Sequence, residues 1–167
     1  MIAAQIAVDK ALQYDVPENN HTASALHGII ALRRGERETA QEAFTKSIAQ
    51  ADEILAKTPD YYSALDAKGL AVSGLLVIGN WRLAGRGDPS MPTGANTGKI
   101  VPPDKVMVSD GWVAPTVDDA IETFRKARKI APHAGVVKSV LRLFDELVKC
   151  DEEGVLKDVR KAVEGVE

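Results

Sequence analysis

Apolar residues recur along this chain at intervals of three and four, the spacing that lines one face of an α-helix. Ala40, Ala43, Phe44, Ser47, Ile48, Ala51, Ile54 and Leu55 form such a stripe, which predicts a helix over 36–57 between Gly35 and Thr58-Pro59. An earlier stripe of Ile2, Ile6, Ala7, Ala11 and Leu12 predicts a first helix over 2–14, stopped at Val16-Pro17. A second helix is expected over 22–34, after a turn at Asn19-Asn20. Asp60 is a good N-cap for a fourth, over 61–83, which stays apolar on most sides. Thr116 and Asp119 have capping-box spacing and open a fifth that ends before Pro132. After a turn holding His133 and Gly135, a sixth is expected over 136–149, with Val137, Val140, Leu141, Phe144 and Leu147 inward. Asp151 caps a last one over 152–163, apolar on Val155, Leu156, Val159 and Val163 and charged elsewhere. The pattern is all-α, with about seven helices.

Two features interrupt this regularity. Gly69, Gly74 and Gly79 lie inside the fourth helix, each costing up to about 1 kcal/mol relative to alanine unless a close contact requires it. Between residues 85 and 115 the composition turns rich in glycine and proline, far beyond an ordinary connection of about 4–6 residues. Val106, Met107, Val108, Trp112 and Val113 within it suggest a short extended piece docked through the Trp112 indole, near Trp81 or the end of the fourth helix.

The first helix of the Gly28 and Gly69 pairs, the series Ala40, Phe44, Ser47 and Pro59, and above all Ala120, Phe124, Ala127 and Pro132 carry the signature of a tetratricopeptide repeat. The chain resembles that family over about residues 20–165. The resemblance implies antiparallel helix pairs stacked as a short right-handed solenoid with one long loop insert. Residues 1–16 would be the lone helix of an incomplete repeat, 20–59 one repeat, 60–132 a second carrying the insert at 85–115, and 133–165 a C-terminal helix pair. The third helix runs seven residues past the family's usual length, close to two turns, so its apolar face is little rotated.

In this family the first helices of successive pairs line a concave groove that holds a peptide or partner helix. Carried onto this sequence, the groove positions are Thr22, Ala25, Ile29, Leu32 and Arg33, then Ser63, Asp66, Leu70, Ser73 and Gly74. Ile29, Leu32 and Leu70 are then apolar residues that the core does not need, and Gly74 would let a peptide backbone approach. Members that clamp a C-terminal carboxylate carry basic and asparagine side chains where Ala25, Ile29, Asp66 and Leu70 stand here, which argues against a chaperone-tail receptor.

Composition narrows the field further. Twenty-one basic against 24 acidic residues give a net charge of -3, so no global field draws nucleic acid or an anionic membrane. A single Cys150 allows no intrachain disulfide and fits a reducing, cytoplasmic setting. The start of the chain meets Asp9 and Lys10 too early for a signal-peptide core. The glycines of GANTGKI at 94–100 are one residue too close for a phosphate loop, and Arg86-Gly87-Asp88 is a tripeptide of common turn residues. His21, His27 and His133 lack metal-ligand spacing, and Arg125, Arg128 and Lys129 read as a solvated basic stripe. No cofactor, metal or catalytic set is expected. The favoured reading is a non-catalytic interaction scaffold for a protein or peptide, the C-terminal part of a larger regulatory protein. The alternative is a self-associating structural module, completed by a neighbouring copy through the N-terminal helix.

Overall fold

The computed structural model describes residues 2–13, 16–83, 107–108, 112–113 and 115–165. Seven helices stand among them: α1 (Ile2–Gln13), α2 (Pro17–Arg33), α3 (Arg37–Lys57), α4 (Tyr62–Leu83), α5 (Val117–Ile130), α6 (Ala134–Val148) and α7 (Lys157–Glu164). The architecture is all-α. Its only described sheet is a two-stranded antiparallel ladder, β1 (Met107–Val108) with β2 (Trp112–Val113), inside the long segment before α5. The expected docking of Trp112 near Trp81 concerns side chains outside the described set, as do GANTGKI and Arg86-Gly87-Asp88.

Local chemistry sets the helix ends. The Thr116 hydroxyl accepts from the Asp119 N–H while the Asp119 carboxylate accepts from the Thr116 N–H, a complete capping box. The second helix begins at Pro17, five residues before the expected start, because proline is preorganised for the first helical position. Asn19 and Asn20 therefore lie in its first turn, both donating to the Val16 carbonyl. Asp60 does not cap α4; the first helical acceptor is the Tyr61 carbonyl. At the end of the chain, Asp151 accepts from the N–H groups of Val155 and Leu156, but Gly154 adopts φ +75° and delays α7 to Lys157.

Paired contacts fix the helix directions. Gly28 and Ser24 of α2 meet Phe44 and Gln50 of α3, so these two helices are antiparallel. Asp52 and Phe44 of α3 meet Lys68 and Gly74 of α4, and Asp66 and Gly69 of α4 meet Arg128 and Phe124 of α5, each pair antiparallel again. Hence α2 and α4 run one way and α3 and α5 the other.

Three phenyl rings organise the core. Phe44 lies between Gly28 and Gly74, where an added Cβ would fall 2.5 Å and 2.3 Å from ring atoms. Phe124 fills the notch over Gly69 in the same way, at 2.7 Å, and meets Phe144 of α6 edge-on with centroids 6.0 Å apart. All three rings are fully buried, and Leu147, Leu156, Val159 and Val163 close the core towards α7. Helix α4 is covered on several sides, which explains its all-round apolar character. Its segment Tyr62–Gly79 is long and apolar enough to cross a membrane by length and composition, yet 72% of that stretch is buried inside the protein.

Gly69 and Gly79 give a matched test on one helix. Gly69→Ala places its methyl against the Phe124 ring and should destabilise by roughly 1–3 kcal/mol. Gly79→Ala meets nothing within 4 Å among the described residues and should stabilise by up to about 1 kcal/mol. Equal shifts in urea unfolding midpoint for the two variants would show that the Phe124 notch is not a tight contact.

Candidate functional site

A cleft of about 350 Å³ opens between α2, α4 and α6. Thr22, Ala25 and Leu26 form one wall; Gly135, Val136, Ser139, Val140 and Leu143 form the other; Tyr62, Ser63, Asp66, Ala67 and Leu70 form the floor. Further along, Arg33 Nε of α2 lies 3.3 Å from Glu146 Oε2 of α6. Eleven residues separate Thr22 from Arg33, and eleven separate Gly135 from Glu146, so α2 and α6 run side by side in the same direction. The Arg33–Glu146 pair thus closes the cleft at one end, and the opening lies at the N-terminal halves of the helices. Being half-exposed, this pair positions the walls more than it stabilises them.

Of the ten residues expected to line a groove, Thr22, Ala25, Ser63, Asp66 and Leu70 come together on this cleft. The others go elsewhere. Ile29 and Leu32, expected to be free of the core, are 4% and 6% exposed and belong to it, as does Leu70 at 3%. Ser73 is buried, its hydroxyl donating to the Gly69 carbonyl of its own helix. Gly74 faces the Phe44 ring, which occupies the space expected for a peptide backbone. Arg33 serves at the closed end.

Beneath the floor lies a buried ion pair. Arg128 Nη2 donates to Asp66 Oδ1, and both residues are 6% exposed. Arg128 is therefore not part of a solvated stripe. It lies four residues after Phe124, on the helix face that meets α4, and that spacing is the signal by which the sequence could have placed it. Burial pushes the Asp66 carboxyl above its ordinary range, and the Arg128 guanidinium pulls it back. Arg128 Nε and Nη1 are buried without partners among the described residues. Removing either charge alone would strand the other, at a typical cost of about 3–5 kcal/mol.

A second polar group adjoins the cleft. His21 is fully buried, its Nε2 lies 3.4 Å from the Ser63 hydroxyl oxygen, and its ring meets Tyr61 edge-on. Its carbonyl accepts from the buried Ser47 hydroxyl, which ties α2 to α3 at the same level. Nδ1 has no partner among the described residues. Ser63 and His21 thus stand as a pair in which the second ring nitrogen has no orienting partner among the described residues.

On the other side of α4, a hollow of about 850 Å³ lies between α3, α4 and α5. Its rim carries the Lys68–Asp52 ion pair and the exposed Arg125, Lys126 and Lys129, so it is a solvated, charged surface. Cys150, half-buried beside Arg33, has its thiol pushed up by burial, the opposite of what a reactive thiolate needs. No protein-family model, curated protein or solved structure matches this chain.

Burial holds the His21 imidazole below its ordinary 6.5, with hydrogen bonding to Ser63 opposing it. A histidine whose folded pKa is depressed contributes stability that is complete above the unfolded value and lost as pH falls below it. The urea midpoint should therefore drop more between about pH 7.5 and about pH 5.5 for the native protein than for His21→Gln. Parallel pH profiles for the two would remove His21 from this role.

Proposed function

We propose that the chain is a tetratricopeptide-like, right-handed helical-repeat scaffold without catalytic activity, which holds a partner peptide or helix in the α2–α4–α6 cleft. The observation that carries this reading is the cleft itself. It lies along helices that share a direction, its lining is mostly apolar, and Asp66 stands on its floor. The recurring ring-in-notch contacts, Phe44 on Gly28 and Phe124 on Gly69, supply the stacking that a helical repeat requires. The Ser63–His21 pair favours structure over nucleophilic chemistry, because no described residue pairs with Nδ1 to orient the imidazole. The reading includes a protein or peptide partner, cytoplasmic, with no nucleic acid, membrane or cofactor.

The self-association alternative has one observation in its favour: Ile6 on α1 is 61% exposed. Light scattering across concentration separates the two. A mass that grows with concentration and reverts with Ile6→Glu supports assembly through α1, whereas a constant monomer mass supports the cleft.

A photo-crosslinking residue placed at Ser139, on the cleft wall, tests the scaffold reading directly, with Glu53 on the exposed face of α3 as the control. Irradiation in an extract of the source cell should give discrete adducts from position 139 alone. Identical adducts from both positions, or none from 139, would contradict it.

A further inference from the structure

We propose that the cleft selects a partner segment presenting one cationic side chain, lysine or arginine, among apolar neighbours, and that the free oxygen of Asp66 is its acceptor. The proposal rests on the scaffold reading above and gives that reading a chemistry.

Asp66 is the only residue with a formal charge among the described residues that line the cleft. An ionised carboxylate accepts on both oxygens. Arg128 occupies Oδ1 from α5, whereas Oδ2 has no hydrogen-bond partner among the described residues. The facing wall does not supply one. The Ser139 hydroxyl donates to the Gly135 carbonyl of its own helix, and the Ser63 hydroxyl lies against His21. Asp66 Oδ2 is not among the buried atoms without a partner, so solvent reaches it, and a cationic donor arriving through the opening takes the place of water there.

The charge of that donor follows from position. Asp66 is among the described residues that line the cleft and Arg128 is not, so an incoming group meets the Asp66 side chain before the guanidinium bound to it from α5. Partial positive charge at the N-terminal ends of α4 and α6 falls off within the first turn, whereas Asp66 stands on the second turn of α4 with a full charge. Burial raises the carboxyl, and a second cation beside it favours the ionised form that accepts best. The remaining lining, Ala25, Leu26, Val136 and Leu143 among it, suits aliphatic neighbours of that cation. A volume of about 350 Å³ holds a few side chains, so one charged anchor with apolar flanks fills it.

The test is selection from a random linear peptide library on the immobilised protein, with two variants as counter-screens. Ser139→Trp fills the cleft from an exposed position and leaves the ion pair intact. The double variant Asp66→Leu with Arg128→Met removes both charges together, so neither is left buried alone. Circular dichroism and unfolding confirm that each variant folds. The expected result is a set of binders sharing one lysine or arginine between apolar residues, lost on Ser139→Trp. On the double variant, or when norleucine replaces the cation, their affinity should fall roughly tenfold or more. Binders that need the open cleft but carry no cation, or that ignore the double variant, would overturn the proposal and leave the scaffold reading standing. If no binder depends on the cleft, the scaffold reading itself falls, and this proposal with it.

Discussion

The structure depends on one steric fit, the Phe44 ring held between two helices that have no side chain where it lies. Gly28 and Gly74 sit on α2 and α4, and any Cβ at either position would fall inside the ring's van der Waals envelope. The fit sets how closely α2, α3 and α4 approach one another. Each glycine weakens its own helix by about 1 kcal/mol, a cost offset by the burial of a complete phenyl group, typically worth about 1.5–3 kcal/mol. Gly69 repeats the arrangement with Phe124, and because five residues turn a helix through about 140°, Gly69 and Gly74 offer their notches to different neighbours. Helix α4 is thereby wedged between α3 and α5.

That wedge determines what lies on the fourth side of α4. With α3 and α5 drawn in by their rings, α2 and α6 flank the remaining face and leave the cleft between their N-terminal halves. The Arg33–Glu146 pair holds their C-terminal halves together. Asp66 reaches the cleft floor from the same helix, and Arg128, one turn beyond the Phe124 ring, is delivered to it from behind. The charged pair and the packing of the second ring therefore come from the same register of α5 on α4. A slip in that register would strand both charges, so the ion pair acts as a check on the pairing as well as a feature of the site.

Much of this was legible in the sequence where a local rule had no rival. The Thr116–Asp119 capping box and the stripe of α3 follow from spacing and side-chain type alone, and the contacts at Gly28 and Gly69 from the positions those glycines hold in the repeat signature. Reading failed where the answer depends on which neighbour covers a face. Gly74 looks the same in sequence whether it admits a peptide or a phenyl ring, and Ile29 and Leu32 look the same whether open or packed in the core. The long insert hides the pairing of α4 with α5 from any short-range pattern, so the partnership of Asp66 and Arg128, 62 residues apart, had no local signature. The α6 wall was missed for the same reason: its inward stripe was visible, but not that Ser139 and Leu143 would face α2.

The central claim is that Phe44 requires an absent side chain on α4, and a double-mutant cycle between Phe44 and Gly74 tests it most directly. Urea unfolding of Gly74→Ala, Phe44→Leu and the pair yields a coupling energy. If the notch is real, alanine at 74 destabilises the protein when Phe44 is present and costs much less, or nothing, once leucine has vacated the ring's space. Simple additivity of the two substitutions would contradict the account, because it would mean that the ring and the glycine do not meet.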